Sequence, residues 1–193
     1  KMFFDKTVNW MYKAEPDPGL AGNADHWPRG KVMGGSSSIN AMVWIRGARE
    51  DYDEWESLGN KGWGWADMLP IFKGLEDYEG GANEWRGAGG PIRISRIDNN
   101  IHPLTRNYIE ATTQTGLPFN ADFNGEHQEG VGLYQINTKG GWRASTANAF
   151  LHPARKRRSL TLHTHAHAQR ILFEGRRAVG VEYAHKGRVC KAK

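Results

Sequence analysis

Residues 30–40 read GKVMGGSSSIN, and this stretch is the most informative part of the chain. The adjacent glycines Gly34 and Gly35 let backbone N–H groups face a ligand without a Cβ in the way. The serines that follow, and Asn40 after them, add donors and acceptors that can orient a phosphate group or a heterocycle. The same composition is typical of an ordinary Ser/Gly surface loop. The stretch alone therefore fits both a ligand-binding loop and a surface loop, and the residues around it are needed to distinguish them.

The residues beyond this loop extend the pattern through nearly the whole chain. In order they are Trp44, Arg46-Gly47, Tyr52-Asp53, Trp55, Gly62-Trp63-Gly64-Trp65, Leu69-Pro70, Phe72-Lys73, Gly89-Gly90-Pro91, Asp122, Asn124-Gly125, Gly130, Gly132, Arg143-Ala144-Ser145, Ile171-Leu172-Phe173 and Val179-Gly180-Val181-Glu182-Tyr183. Together with residues 30–40, this series resembles the glucose-methanol-choline (GMC) oxidoreductases, and among them the choline dehydrogenase-like branch. Met33 is a conservative departure from the aliphatic or Trp residue of the family's first signature.

The resemblance implies a mixed fold of the α/β or α+β kind. It combines part of a doubly wound FAD-binding domain with part of a substrate domain that is built on an antiparallel sheet. We expect residues 1–90 and 154–193 to belong to the FAD-binding domain, the second range as an adenine-side strand and a β-meander. Residues 91–153 are expected to belong to the substrate domain.

The resemblance also assigns contacts with the flavin. The residues that would lie against the pyrophosphate and the ribityl chain are Gly34, Gly35 and Ser36. Those that would reach the isoalloxazine ring are Asn40, Ala41 and Val43, and the backbone that would meet the adenine is that of Ala168. Ile39 stands where family members with a covalent flavin have histidine, so FAD is expected to be held non-covalently.

The family's catalytic groups have no match in the chain, so no catalytic residue is assigned. The G-x-G-x-x-G motif is expected upstream of residue 1, and the catalytic histidine with its His or Asn partner downstream of residue 193. The sequence therefore predicts an internal part of a flavoenzyme that oxidises a primary alcohol, choline-like or other, to an aldehyde by hydride transfer to FAD. This part alone is expected to be inactive. The alternative from a different class is a non-catalytic binding or interaction module.

A further alternative comes from the histidines His163, His165 and His167. An alternating strand predicted over residues 160–168 would place the three imidazoles on one face. Imidazoles in that arrangement can share a divalent metal, as in a metal-dependent hydrolase. No acidic motif accompanies them, so we favour a solvent-facing or ring-packed strand face and expect no metal site.

The composition is that of a globular protein with a basic surface. Hydrophobic residues make up 38% of the chain and charged residues 24%, and the formal net charge is +5. The densest basic cluster, residues 155–158, has no aromatic platform beside it and indicates a solvated turn rather than a nucleic-acid contact. The partner that we expect is a small-molecule alcohol, while the electron acceptor stays open.

Two further features of the composition concern location. No run of about 18 apolar residues occurs, so no transmembrane segment is predicted. The single cysteine, Cys190, excludes a disulfide within the chain and fits a reducing compartment. We expect a cytoplasmic protein, with peripheral membrane association left open.

Hydrophobic periodicity predicts the secondary structure. Helices are expected over residues 50–58, 67–75 and 102–116, and strands over residues 91–97, 131–137, 160–168, 171–173, 179–183 and from 189 onward. Pro70 is expected in the first turn of its helix, where its missing N–H costs nothing. The residues expected to turn inward from the third helix are Leu104, Tyr108 and Ile109. Arg143 is expected to fix a turn beside the substrate domain.

Overall fold

The first and third of the protein's helices begin at positions where a side chain accepts a free backbone N–H group. The computed structural model describes residues 2–193 and contains the helices α1 (Arg49–Ser57), α2 (Trp65–Leu75), α3 (Pro103–Gln114) and α4 (His152–Ala154). The Asp51 carboxylate accepts a hydrogen bond from Ala48 N–H at 2.9 Å at the start of α1. At the start of α3, His102 Nδ1 accepts one from Leu104 N–H at 3.2 Å. These bonds satisfy groups that have no partner within a helix.

Helices α1 and α2 pack together through aromatic rings. The centre of the Tyr52 ring lies 5.6 Å from that of Trp65 and 5.5 Å from that of Phe72. Asp53 in α1 accepts a hydrogen bond from Trp65 N–H at 2.9 Å, and α2 begins at Trp65 rather than at the predicted residue 67. Pro70 therefore lies beyond the first turn of α2, and its predicted position is wrong.

The strands are short in the first part of the chain and longer near its end. They are β1 (Tyr12–Lys13), β2 (His26–Trp27), β3 (Val43–Trp44), β4 (Glu76–Tyr78), β5 (Ile92–Ile94), β6 (Gln135–Ile136), β7 (Thr138–Lys139), β8 (Trp142–Arg143), β9 (Ala166–Glu174), β10 (Arg177–His185) and β11 (Arg188–Ala192). The pairs β1–β2, β3–β6 and β7–β8 are antiparallel, and the pair β4–β5 is parallel. Helices together with sheets of both kinds confirm the predicted mixed α/β class.

The hydrophobic core of the first part of the chain forms around the β4–β5 pair. Parallel pairing aligns Tyr78 with Ile94. Both residues are buried together with Ile92, and Trp44 packs against them. Ile92 and Ile94 point to one face of β5 while Arg93 between them points to the other, as the predicted strand requires. This strand is confirmed, although it is shorter than the predicted range.

The chain divides into two compact units, one that ends at Pro153 and one that covers Ala154–Lys193. The second unit contains an antiparallel meander in the order β11–β10–β9, with tight turns at Gly175 and Gly187. The predicted meander is confirmed. The assignment of residues 1–90, 91–153 and 154–193 to an FAD-binding and a substrate domain stays a prediction.

The strand predicted over residues 160–168 is wrong over most of its length. Strand β9 begins only at Ala166 and then continues without interruption to Glu174. His165 has a φ of 52°, which lies in the left-handed region and interrupts an extended path. The two strands predicted over residues 160–168 and 171–173 are thus one strand that starts later.

Helix α3 exposes most of the face that was predicted to be buried. Leu104 and Tyr108 are each 66% exposed, so the prediction is wrong for both, whereas Ile109 is half-buried.

No helix among residues 2–193 is long and apolar enough to cross a bilayer.

Only a small part of the strand predicted over residues 131–137 forms, namely β6. Val131 instead exchanges backbone hydrogen bonds with a preceding loop. Its N–H donates to Pro118 O at 2.9 Å and its carbonyl accepts from Asn120 N–H at 2.8 Å. The backbone groups of this residue are therefore already satisfied outside the sheet.

Candidate functional site

The loop of residues 30–40 folds back on itself. Gly34 and Gly35 have φ angles of 87° and 57°, in the left-handed region that residues with a side chain rarely adopt. Gly30 N–H donates a hydrogen bond to Ser36 Oγ at 3.1 Å. A Cβ on Gly30 would lie only 2.1 Å from the Gly35 carbonyl oxygen. The loop therefore needs glycine at position 30 for space and at positions 34 and 35 for conformation.

A segment around Thr146 holds this loop from one side. The Thr146 N–H donates to Ser37 Oγ at 3.0 Å, and the Thr146 hydroxyl donates to Gly34 O at 3.1 Å. Ser37 Oγ in turn donates to Gly34 O at 2.6 Å. A Cβ on Gly34 would lie 3.2 Å from the Cβ of Ala147. Glycine at position 34 thus permits the close contact between the two segments.

Arg143 binds the end of the same loop with both of its terminal nitrogens. One Nη donates to Asn40 Oδ1 at 2.6 Å and to Ser37 O at 3.1 Å. The other Nη donates to Asn40 O at 2.8 Å. Arg143 sits on the β7–β8 hairpin, whose turn is formed by Gly140 and Gly141, both with positive φ. Arg143 does fix a turn, as predicted, but that turn belongs to the glycine-rich loop itself.

The Asn40 side chain shapes the backbone that leads into β3. Its Oδ1 accepts a second hydrogen bond, from Met42 N–H at 3.1 Å. Met42 has a φ of 65°, and its carbonyl accepts a hydrogen bond from Asn137 N–H at 3.0 Å. A left-handed residue other than glycine costs about 1–3 kcal/mol and persists only where surrounding contacts hold it. Asn40 and Asn137 supply those contacts.

The Asn40 amide nitrogen makes no hydrogen bond with any residue that the structure describes, and the residue is exposed. Its oxygen, by contrast, accepts from two donors. The site therefore presents the amide NH2 outward as a free donor.

A buried ionic cluster anchors the segment that follows the loop. Glu76 accepts hydrogen bonds from Arg46 and from Arg86, whose Nε lies 3.0 Å from Glu76 Oε1. Trp44 Nε1 donates to Glu76 Oε2 at 2.9 Å. Arg86 also binds Asp122, at 2.8 Å. The cluster joins two cations with two anions, so its formal charges cancel.

The guanidinium groups of this cluster differ in the direction of their pKa shifts. Burial lowers the pKa of Arg46, and the attraction of Glu76 offsets this only in part. Burial acts in the same direction on Arg86, but its hydrogen bonds with Glu76 and Asp122 outweigh burial and raise its pKa. Arginine stays charged at neutral pH in either case. The two guanidinium groups therefore act as fixed positive charges that support the fold.

The predicted flavin contacts fall in two places. The residues Gly34, Gly35, Ser36, Asn40, Ala41 and Val43 lie on one continuous segment in the unit that ends at Pro153. Ala168 lies in the other unit, in β9, where it pairs with Tyr183 of β10. Their roles stay predictions. Sequence reasoning did not find that Arg143 and Thr146 hold the segment, because no local pattern pairs them with residues more than a hundred positions away.

The histidines considered for a metal site do not share a strand face. His163 precedes β9, and its Nδ1 lies 3.2 Å from the Tyr183 hydroxyl while its ring stacks on His185 at 5.6 Å. His165 has left-handed backbone, and only His167 belongs to the strand. Among residues 2–193, no group of at least three His, Cys, Asp or Glu side chains is placed to hold a metal ion. The prediction that the three imidazoles lie on one face of a strand is therefore wrong.

A cleft in the unit that ends at Pro153 is separate from the glycine-rich loop. It has a volume of about 1290 Å³ and is lined by residues 46–50 and 118–129, with Trp65, Asn83 and Trp85. None of the residues 30–40 lines it. The candidate site is therefore defined by the chemistry of the loop and lies outside this cleft.

The loop fits one part of an FAD molecule. A Cβ on Gly35 would meet no heavy atom within 4 Å, so the space beside this glycine is open. Ser36 and Ala41 are exposed, and Val43 is 42% exposed. Open backbone, a hydroxyl, the outward amide of Asn40 and apolar side chains are the groups that a polar chain and a flat ring would contact.

Comparison with known proteins agrees with this chemistry. Residues 19–193 match the family model described as GMC oxidoreductase. The chain is 47% identical over 188 residues to mitochondrial choline dehydrogenase of Mus musculus. The alignment covers 97% of this chain and 31% of the relative. It is 44% identical over 182 residues to alcohol dehydrogenase [acceptor] of Pseudomonas putida. That alignment covers 94% of this chain and 33% of the relative.

Two solved structures are similar in fold. Pyridoxine 4-oxidase from Mesorbium loti has a TM-score of 0.88 and 34% identity, over 95% of this chain and 36% of that structure. An FAD-dependent oxidoreductase from Chaetomium thermophilum has a TM-score of 0.86 and 27% identity, over 98% of this chain and 35% of that structure. The chain thus spans about a third of the length of the relatives it matches. The chain belongs to the GMC oxidoreductase family, whose members are FAD flavoproteins.

Proposed function

We propose that the protein oxidises a primary alcohol to an aldehyde with a non-covalently bound FAD, and that residues 34–43 contribute to its flavin site. The observation that carries the proposal is a loop that is held by hydrogen bonds from Arg143 and Thr146. This loop has open space at Gly35 and a free amide donor at Asn40. Relatives described as choline dehydrogenase and as alcohol dehydrogenase support the substrate class.

Each part of the segment has a role in this proposal. The backbone of Gly34 and Gly35 and the hydroxyl of Ser36 bind the polar chain of the cofactor. The Asn40 amide and the exposed side chains of Ala41 and Val43 contact the ring. FAD, when bound, supplies the acceptor for the hydride. The protein groups orient the ring.

We propose separately that the backbone of Ala168, in the second unit, contacts the adenine. Within residues 2–193, strand β9 lies at the edge of its meander, next to β10. An edge strand has unpaired backbone N–H and C=O groups along its free side. Such groups are suited to the hydrogen-bonding edge of a base.

The side chain at position 39 supports non-covalent binding. Ile39 is only 3% exposed and packs into the protein. Its aliphatic side chain has no nucleophilic atom that could bond to the flavin. The cofactor is therefore retained by contacts alone.

The cysteine content of the chain bears on its location. We propose a reducing compartment, in the first instance the cytoplasm, because Cys190 is the only cysteine of the sequence. One relative is described as mitochondrial. Fractionation of the host cell, with the protein detected by antibody, tests the location directly.

The flavin site can be tested with two matched glycine substitutions in the protein produced from its complete coding sequence. Gly35 and Gly175 have φ angles of 57° and 59°, and a Cβ at either position would meet open space. Gly35→Ala and Gly175→Ala therefore carry similar backbone strain. Only Gly35→Ala places a methyl group where the proposal puts the cofactor.

The expected result is that both variants lose a similar amount of stability and only Gly35→Ala loses affinity for FAD, measured by fluorescence titration of the apoprotein. Turnover of choline and of short aliphatic alcohols, followed by reduction of an artificial dye, should fall with FAD content. If the two variants bind FAD with equal affinity, the loop is not part of the flavin site. A wild-type protein without FAD would overturn the proposed function as a whole.

A further inference from the structure

The contact between Arg143 and Asn40 decides which end of the Asn40 amide faces outward. Oδ1 accepts one hydrogen bond from Arg143 and one from Met42 N–H, so both of its neighbours are donors. An amide rotated by half a turn would place its NH2 group against these same donors. Guanidinium and backbone N–H groups have no lone pair to accept from it. The rotated state therefore loses two hydrogen bonds and gains none.

Arg143 also controls the backbone at the same place. Its second Nη donates to Asn40 O at 2.8 Å, and its first reaches Ser37 O at 3.1 Å. A planar guanidinium fixes several acceptors in one plane, which the single ammonium of lysine cannot do. Side chain and backbone of Asn40 are thus held by one residue.

We propose that Arg143 is a positioning residue that holds the Asn40 amide so that its NH2 group donates a hydrogen bond to an acceptor atom of the flavin ring. The inference rests on the proposed flavin site. Arg143 acts through Asn40. Without Arg143, the amide can rotate and present either an oxygen or an NH2 group to the ring.

The first test compares FAD affinity and flavin midpoint potential in the protein produced from its complete coding sequence. Arg143→Met keeps the length of the side chain and removes its donors. It should weaken FAD binding by about tenfold, the size of one lost hydrogen bond between Asn40 and the ring, and lower the midpoint potential. Arg143→Lys should restore part of both. Arg49→Met, which removes an exposed charge elsewhere, should change neither.

The second test separates positioning from general support of the fold. Asn40→Asp keeps an oxygen for Arg143 and for Met42 N–H but removes the NH2 donor, so it should lower the flavin potential while the melting temperature of the apoprotein stays close to wild type. In an Asn40→Ala background, Arg143→Met should cause little further loss of FAD affinity, since the group that Arg143 positions is already gone.

The outcomes distinguish the inference from the proposed function. If the wild-type protein binds FAD and Arg143→Met has the same affinity and potential, this inference is wrong and the flavin site stands. If Arg143→Met costs as much affinity in the Asn40→Ala background as in wild type, Arg143 supports the fold without positioning the amide. If the wild-type protein binds no FAD, both proposals fail together.

Discussion

Arg86 donates a hydrogen bond to Glu76 through Nε at 3.0 Å, and neither side chain has any exposed surface. Glu76 also accepts a hydrogen bond from Gly87 N–H at 2.8 Å, in addition to its bonds with Arg46 and Trp44. A buried carboxylate with this many donors compensates for the water it has lost. Glu76 thus joins the segments that contain Trp44, Arg46 and Arg86.

Removing the charge at position 76 should therefore destabilise the protein strongly. Glu76→Gln leaves Arg46 and Arg86 buried without their central counter-charge. We expect a loss of about 3–5 kcal/mol in the free energy of unfolding, as for other broken buried ion pairs. Chemical denaturation followed by tryptophan fluorescence measures it.

Arg49→Ala is the matched control, because it breaks an ion pair whose side chains are 64% and 47% exposed. Exposed pairs contribute at most about 1 kcal/mol. If the two variants unfold at the same denaturant concentration, the buried cluster does not stabilise the fold.

The close approach inside the glycine-rich loop leads to a second prediction. Gly30→Ala would bring a Cβ to 2.1 Å from the Gly35 carbonyl, and the loop would have to open. We expect a loss of about 1–3 kcal/mol in stability from overpacking, together with reduced FAD content. Gly74→Ala is the control, since this helical glycine has no neighbour within 4 Å of a Cβ, and should gain about 0.5–1 kcal/mol. A Gly30→Ala protein with the stability and flavin content of wild type contradicts the prediction.

The pH dependence of stability should include a contribution from Asp77. Hydrogen bonds from Gly89 N–H and from Arg93 hold the pKa of this carboxyl below its ordinary value of 3.8. The unfolded chain thus binds this proton more readily than the folded protein does. The contribution is complete above the ordinary pKa and is lost as the pH falls through the folded pKa.

Asp77→Asn should therefore be less stable than wild type at pH 7, by about 0.5–1 kcal/mol because the group is partly exposed and screened. The difference between the two proteins should shrink as the pH falls below 3.8. Thermal unfolding of both proteins at about ten pH values between 2.5 and 7 measures this difference in stability. A difference that is constant over this range would show that Asp77 does not act through its charge.

The buried Ile39 leads to a prediction about how the cofactor is held. Acid or heat denaturation of the protein produced from its complete coding sequence should release FAD into solution, because Ile39 offers no atom for a covalent bond. Absorbance of the supernatant after precipitation measures the released flavin. Yellow colour that stays with the washed polypeptide would contradict it.

Local patterns in the sequence predicted part of this structure well. Acids in the first turn and Gly59 after the last turn predicted α1 closely, and Gly59 has the positive φ that such a helix end favours. The turn at Gly187 likewise predicted a hairpin of the meander. In both cases the decisive residues are neighbours in the chain.

Features set by distant residues could not be predicted in this way. Helix α2 begins at Trp65, where Asp53 in α1 accepts its N–H, and hydrophobic periodicity alone carries no trace of that bond. Arg143 and Asn40 are separated by 103 residues. The family resemblance located the loop of residues 30–40, but only the structure brings together the groups that hold it.

The ionic cluster has a consequence for the order in which the chain can fold. Gln128 donates to Arg46 O across 82 residues of sequence, and Asn124 accepts from Arg46 N–H across 78. Contacts of such separation slow folding, because a long loop must close before they form. A ribosome that adds about 5–20 residues per second needs about 4–16 s to supply the later partner. During this interval the segment around Arg46 stays in water, and β3 lacks its partner strand β6. The nascent chain therefore exposes the glycine-rich loop and β3 for seconds before the residues that hold them have been synthesised.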